Sequence, residues 1–477
     1  MNIHPKTKYA YDLLHEGTLA LARAEQQGLR INMDYCEKKK AHLTRKIERM
    51  ERLFKETNFF KHWQHTVKSP VNINSNLQLS NFLYKIKKLE PAYSTTSGQG
   101  STDEDALKQL NIPELNDLLE IRKLKKVRDT YLDAFMREQV DGYIHPSFNL
   151  HLVVSYRSSS DRPNFQNNPK RDEESMRIVR SAIYPRPGHQ LMEVDYSGIE
   201  VRINACINQD KTLVNYMRDP TSDMHRDMAI QIFKLDHFAK GATGHKVLRQ
   251  ATKNGFVFPE FYGDYYKNCA ENMACVWGGL SKERWKPGQG IPLEDPMSVK
   301  NGLEGIYINL SDQLISKGIK TFDQFTNHLK DIEQDFWNNR FPEYRSWKDR
   351  WYWDYQKCGY IDLLSGFRCQ GQMDRKQVCN YPGQGTAFHC LLWSFNRVDK
   401  TLREGGWDSR LVGQIHDSML FDAHPDEVER LAKVVQQITC HDLPQFWPWI
   451  IVPMEVEMEL AGIDKSWAEL KPYVFSK

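Results

Sequence analysis

Two aspartates stand far apart in the chain in similar surroundings. Asp195 in "MEVDYSG" and Asp417 in "QIHDSML" each close a short apolar run as it enters a turn. Aspartate favours turns because its side chain bonds nearby backbone, so either one alone is unremarkable. Together they matter if the two runs are neighbouring strands. Their carboxylates could then hold a pair of Mg2+ ions, hard cations that take oxygen ligands. Such a pair clamps the attacking and leaving oxygens of an in-line phosphoryl transfer. A phosphate chain also needs cations, and Arg249 and Lys253 in "RQATKNGFVFPEFYG", four apart, would share one face of a helix. The same stretch holds Gly255 and Pro259, where a proline would lose its bond to the Gly255 carbonyl and crowd it. Phe256, Phe258, Phe261 and Tyr262 add a cluster of rings.

The elements that must position these groups are legible from pattern. "HQLMEVDYSG" (189–198) has strand length, and "IEVRINACI" after it places Ile199, Ile203 and Cys206 at helical spacing, so Asp195 falls at a strand end. "LVGQIHDSMLFDA" reads as a hairpin with His416, Asp417 and Ser418 at its tip. Residues 207 to 400 read as largely helical and rich in aromatics, and residues 1 to about 140 as helical and charged. In "AHLTRKIERMERLFKE", Leu43, Ile47, Met50 and Phe54 recur at helical spacing against a basic face, and "LLEIRKLKKVRDTYLDAF" shows a second. A pair of such faces could grip a phosphate backbone, although a solvated charged face is the commoner meaning of the pattern. Between them "AYSTTSGQGSTDEDAL" marks a loop, and Ser101 with Glu104 predicts a capping box where a helix restarts.

Composition sets limits. The chain has 477 residues, 40% hydrophobic and 27% charged, enough for one large core or two to three domains. A net charge of +3 means that a nucleic-acid partner would be held by local basic patches rather than a global field. Nine cysteines without a C-x-x-C pair point to reduced thiols and a cytoplasmic setting rather than zinc or disulfides. The N-terminus has no apolar signal core, and "FWPWIIVPM" is too short and proline-broken to span a membrane.

At this point the three segments resemble known motifs. "VDYSGIEVR", "RQATKNGFVFPEFYG" and "QIHDSMLFD" are similar, in order, to motifs A, B and C of the DNA polymerase I family, family A. "YRSSSDRPNFQNNP" (156–169) resembles the family's primer-template segment and "DMHRDMAIQIF" (223–233) the start of its fingers. "GYIDLLSGFR", "NYPGQGTAFH" and the helical start also have family counterparts, so the resemblance covers nearly the whole chain.

The resemblance implies an α+β, right-hand polymerase with an antiparallel palm sheet. Residues 1–140 would form the thumb, with the N-terminal part on the palm. Residues 141–206 and 346–477 would form the two palm parts, and 207–345 the fingers, with an inserted subdomain at 264–330. It also implies a DNA-directed DNA polymerase working on primer-template DNA with dNTPs and two Mg2+ ions, with Mn2+ able to substitute. Asp195, Asp417 and the Tyr196 carbonyl would bind metal. Arg249, Lys253 and His225 would neutralise the triphosphate. Ser197, Glu200, Phe258 and Tyr262 would surround the nucleotide, Glu200 as the steric gate against a 2′-hydroxyl. Arg157, Asn164, Gln166, Gln384, Gln414 and His416 would touch the DNA.

Departures from the pattern carry expectations of their own. Gly198 replaces an amide in motif A, and Ser418 replaces the glutamate usual after the motif C aspartate. The second change resembles single-subunit RNA polymerases, which makes an RNA polymerase or primase the first alternative, opposed by Glu200. A catalytically silent DNA-binding homologue is the second. Tyr262 lies nine residues after Lys253 where the family has eight, which predicts a bulge around Gly255 and puts the nucleotide-stacking ring at Phe258 rather than at Val257. Few residues precede the thumb-like sequence, so no 3′-5′ exonuclease segment is expected, and a separate exonuclease or processivity protein is a candidate partner. A compact phage-type enzyme, in host cytoplasm if viral, fits these features.

Overall fold

Leu191, Met192, Val194 and Tyr196 are all buried in the strand Gln190–Tyr196, as a strand covered on both faces requires. In the computed structural model, which describes residues 5–67, 70–91, 95, 98–169, 172–239, 242–294 and 307–475, this strand is the centre of a five-stranded antiparallel sheet. We call it β1, followed by β2 (Arg410–Ile415), β3 (Ser418–Ala423), β4 (Val456–Leu460) and β5 (Lys471–Pro472), in spatial order β2-β3-β1-β4-β5. The hairpin expected at 411–423 is present as β2 and β3, turned at His416 and Asp417, with His416 at φ +53°. Register places Ser418 of β3 and Glu457 of β4 on either side of Asp195. Directly opposed residues share a face of the sheet, so all three point the same way.

Helices cover the sheet. The helix Arg375–Glu404 lies against the helix Ile199–Asn208, and Gly383 is what allows it: a Cβ there would stand 2.3 Å from Asn204 Oδ1. The first helix, Pro5–Gln27, packs on Arg375–Glu404 and β2, tied by an Arg23–Asp399 ion pair of 2.6 Å and by Asn396, whose amide donates to the Leu13 carbonyl.

Residues 33–138 contain the two expected amphipathic helices, Met33–Glu56 and Pro113–Lys125, the second running on through a π-helical stretch Lys126–Leu132. Leu43, Ile47 and Phe54 are buried as the spacing requires, and Met50 is half-buried. Part of the basic character is used between the helices. Lys125 pairs with Glu51 at 2.5 Å, Lys40 with Asp133 at 2.6 Å and Lys46 with Glu120 at 3.7 Å, so each helix offers cations to acids of the other. The restart is also capped differently from the expectation. The helix Glu104–Gln109 is capped by Asp103, whose backbone is extended and whose side chain accepts the Ala106 N–H at 2.9 Å, while the Ser101 hydroxyl donates to Asp103. Residues 92–94 and 96–97 of the expected loop lie outside the described residues.

Between residues 207 and 345 the chain is mostly helical. Two short strands, Pro292–Glu294 and Tyr307–Asn309, pair antiparallel, and the first packs on the helix Thr243–Thr252; residues 295–306 between them lie outside the described residues. The nine cysteines are all free thiols. Among the described residues no helix is long and apolar enough to cross a membrane.

Candidate active site

The sheet brings the two aspartates together. Asp195 is the last residue but one of β1, and Asp417 sits in the turn one residue before Ser418, the ladder partner of Asp195; the Tyr196 N–H donates to the Asp417 carbonyl at 3.2 Å. The Tyr196 side chain is buried, its hydroxyl sharing a 2.8 Å hydrogen bond with Ser394, so only its backbone could serve a ligand. Ser197 is tied to β4: its N–H donates to the Glu455 carbonyl at 2.9 Å and its hydroxyl to Glu457 Oε1 at 3.2 Å. Among the described residues no group of three or more His, Cys, Asp or Glu side chains is arranged to hold a metal. A pair of carboxylates suits Mg2+, which keeps waters and is commonly held by one or two carboxylates plus substrate phosphates. The donor set therefore fits that ion and offers no soft ligand.

Arg249 lies near the end of the helix Thr243–Thr252, and Lys253 opens the wider turn directly after it. Arg249 is already engaged: its Nε donates to Asp223 Oδ2 at 2.7 Å. Asp223 caps the next helix back, Met224–Ile232, by accepting the Arg226 N–H at 3.1 Å. This places His225 beside both cations. Burial, then Arg249 and Lys253, push its imidazole down to about 4, so it is neutral at pH 7. Its ring meets Phe258 edge to face at 5.6 Å.

The bulge expected around Gly255 is a π-helical stretch, Lys253–Val257, in which the Phe258 N–H reaches back five residues to the Lys253 carbonyl. A proline four residues after Gly255 cannot supply the ordinary helical hydrogen bond, and the wider turn accommodates its absence. Beyond it the rings divide. Phe256 is fully buried against Phe336 at 5.4 Å, and Val257 is fully buried. Phe258 is half-buried, stacked on Tyr262 at 6.1 Å with Lys253 Nζ 5.4 Å from its centre. The Tyr262 hydroxyl donates to Glu200 Oε2, and the Arg157 guanidinium lies 3.4 Å from Glu200 Oε1. Burial, then the Glu200 charge, raise the Tyr262 phenol well above its ordinary range, so it stays a donor.

A groove between residues 119–131 and the hairpin tip is lined by Arg122, Lys126, Asn164, Gln166 and His416. Gln166 and Gln414 are bonded to each other at 2.6 Å, and the Ser158 hydroxyl donates to the same Gln414 oxygen at 2.7 Å. Asn164 accepts the Asn167 N–H at 3.1 Å, which shapes its own loop. His416 is exposed at the hairpin tip. Gln384 is half-buried on the helix Arg375–Glu404. Next to it a Cβ on Gly385 would stand 2.6 Å from the Ser155 carbonyl, so the helix touches the loop that leads to Arg157.

Some partners escaped sequence reasoning. Asp223 was visible only as the first residue of "DMHRDM", a helix-start signal. Glu193 gave no signal beyond an acid inside an apolar strand. Glu260, an acid among the motif B aromatics, is 1% exposed and accepts the Trp337 indole N–H at 2.8 Å; burial and Glu333 push its carboxyl up. Behind it Lys348, held down to about 8 by burial, donates to the Glu260 carbonyl at 2.9 Å.

Comparison with known proteins agrees with this arrangement. The model of DNA polymerase family A matches residues 33–276 and 308–469. Residues 277–307 between the two matched segments are unmatched. The chain is 26% identical over 471 residues to DNA polymerase I of Chloroflexus aurantiacus, covering 95% of this chain and 42% of that protein. It is 26% identical over 467 residues to the thermostable DNA polymerase I of Thermus filiformis, covering 94% and 47%. The chain thus spans less than half the length of these relatives. Among solved structures, the POL domain of Pol1 from M. smegmatis, in complex with DNA primer-template and dNTP, matches with a TM-score of 0.68 at 22% identity, over 95% of this chain and 70% of that one. That likeness is one of fold, the α+β right hand. With the segments resembling motifs A and C on one sheet and the family model matched along most of its length, the chain belongs to DNA polymerase family A.

Proposed function

We propose that this chain is a template-directed DNA polymerase that adds deoxynucleotides to a primer 3′-hydroxyl. The observation that carries the reading is that Asp195, near the end of β1, lies beside the turn that carries Asp417, with the Tyr196 N–H on the Asp417 carbonyl. In this reading residues 141–206 and 346–477 are the palm, 207–345 the fingers and 1–140 the thumb, its first helix resting on the palm. Asp195 and Asp417 would hold Mg2+, or Mn2+ in its place, which when bound supplies charge stabilisation for the entering and leaving oxygens. Arg249 exchanges Asp223 for phosphate oxygens, and Lys253 and neutral His225 complete the grip on the triphosphate. Phe258 offers a ring to the base and sugar. Glu200, fixed between Tyr262 and Arg157, fills the space a 2′-hydroxyl would need. Catalysis is then positioning plus electrostatics.

Asn164, Gln166, Gln384, Gln414 and His416 supply hydrogen-bonding groups for sugars and minor-groove edges, where acceptors are similarly placed for every base pair. Nine free thiols suit a reducing cytoplasm. The test is primer extension on a DNA template with Mg2+ and either dNTPs or NTPs. Extension with dNTPs alone is expected. Extension with NTPs alone would favour an RNA polymerase, the reading that Ser418 allows, and DNA binding without extension a silent homologue.

A further inference from the structure

Glu193 stands two residues before Asp195 on β1, hence on the same face of the sheet, diagonal to Ser418. Ser418 Oγ lies 3.1 Å from Glu193 Oε1 and the same distance from the Ile415 carbonyl. Glu193 Oε2 accepts the Trp467 indole N–H at 2.9 Å and lies 3.4 Å from Arg180 Nη1. That guanidinium sits 4.0 Å from the centre of the Trp467 ring. The four residues are 0%, 4%, 1% and 8% exposed for Ser418, Glu193, Trp467 and Arg180. A carboxylate this deeply buried is costly unless every partner is in place. Here one oxygen meets the hairpin hydroxyl and the other an indole and a guanidinium.

We infer that Glu193 is a positioning residue of the catalytic site, anchoring through Ser418 the turn that carries Asp417, the task a glutamate at position 418 would otherwise share. The inference rests on the polymerase reading above. Its reach extends further than the hairpin. Trp467 stacks on Phe165 at 5.5 Å, and the neighbouring Gln166 bonds Gln414 on β2. One buried carboxylate therefore ties the Asp417 turn to the loop lining the groove. Hydrogen bonds to an ionised acceptor are shorter and stronger than neutral ones. Removing the charge should accordingly loosen the relation between Asp195 and Asp417 while leaving the nucleotide contacts of motif B in place.

The test compares Glu193→Gln, Ser418→Glu and the double variant Glu193→Ala/Ser418→Glu with the parent chain. Single-turnover incorporation is followed against Mg2+ and dNTP concentration. Mn2+ binding is followed by electron paramagnetic resonance on a complex with a dideoxy-terminated primer, where no turnover occurs, and thermal unfolding checks that each variant is folded. Glu193→Gln should lose about tenfold in rate and bind Mn2+ several-fold more weakly, with the dNTP dependence nearly unchanged. Ser418→Glu alone should be impaired, because it sets a second carboxylate against the first. The double variant should recover to within about threefold of the parent, since it moves the charge across the ladder rather than removing it. Parent-like Mn2+ binding and rate in Glu193→Gln, or a double variant no better than Ser418→Glu, overturns the inference. If the parent does not extend primers, the polymerase reading falls, and the Mn2+ measurement still decides the role of Glu193.

Discussion

Phe256 and Phe258 lie two residues apart in one turn and meet opposite surroundings, so the same substitution at each should have different consequences. Phe256 is 0% exposed and edge-on to Phe336 at 5.4 Å. A hydroxyl added there is buried without room or partner, at about 1–3 kcal/mol for the unsatisfied group and about 1–3 kcal/mol for overpacking. Even 2 kcal/mol shifts the folded-to-unfolded ratio by about 30-fold. Phe258→Tyr places its hydroxyl on the half-buried side shared with His225 and Tyr262. In the proposed polymerase reading this ring would face the incoming sugar, where a phenol would stand in for a missing 3′-hydroxyl. One neutral hydrogen bond is about 0.5–1.5 kcal/mol, so selection of dideoxynucleotides over deoxynucleotides should rise about 2- to 10-fold. Competition between the two on a primed template, with urea unfolding alongside, measures both effects. A dideoxy gain in Phe256→Tyr and none in Phe258→Tyr would refute the register across the bulge, and an undiminished stability of Phe256→Tyr would refute the packing argument.

Asp195→Asn and Asp417→Asn should each abolish extension in Mg2+ while primer-template binding by gel shift stays within a few fold; substantial synthesis by either removes the metal assignment. Glu200→Ala should admit ribonucleotides, read as NTP incorporation opposite a DNA template, and unchanged discrimination would place the gate elsewhere. His225 gives a pH dependence. Its folded value of about 4 lies below the ordinary 6.5, so between these values the unfolded chain binds a proton that the folded chain does not. Its contribution is present above about pH 6.5 and is lost toward pH 4, about 3 kcal/mol in the limit. Urea unfolding across that range should show a shallower decline in His225→Gln, and parallel curves would count against a neutral, buried imidazole.

The sequence disclosed those parts of the site that depend on local order. A strand, a turn and a helix at 190–208, and a hairpin at 411–423, follow from apolar runs broken by polar tips. The bulge was legible because the resemblance to motif B implied one residue more between Lys253 and Tyr262, and Gly255 with Pro259 marked the place. What stayed hidden were choices among distant partners. Nothing in the spacing of Arg249 says that Asp223 holds it, and nothing in Glu193 says that Ser418 and Trp467 meet on its two oxygens. The basic helices show the same limit, because a charged stripe looks alike whether it faces solvent or the acids of a neighbouring helix. The cap near Ser101 is of the same kind on a smaller scale: either of two polar side chains two residues apart could cap, and backbone conformation chose Asp103.

A helix is an unforgiving place to gain a residue, since one extra position rotates everything beyond it by about 100°. Between Lys253 and Val257 that rotation is cancelled within a single wide turn. Lys253 before it and Phe258 after it still meet, at 5.4 Å, and Phe258 still stacks on Tyr262. Gly255 keeps the turn packed as well, because a Cβ there would stand 2.6 Å from Met273 Cγ and 2.8 Å from the Trp277 ring. The segment therefore behaves as a length change hidden inside a rigid element. Set against the shorter motif B that the resemblance implies, the gap belongs in the middle of the helix, and equivalences counted from the two ends disagree by one until it is placed there.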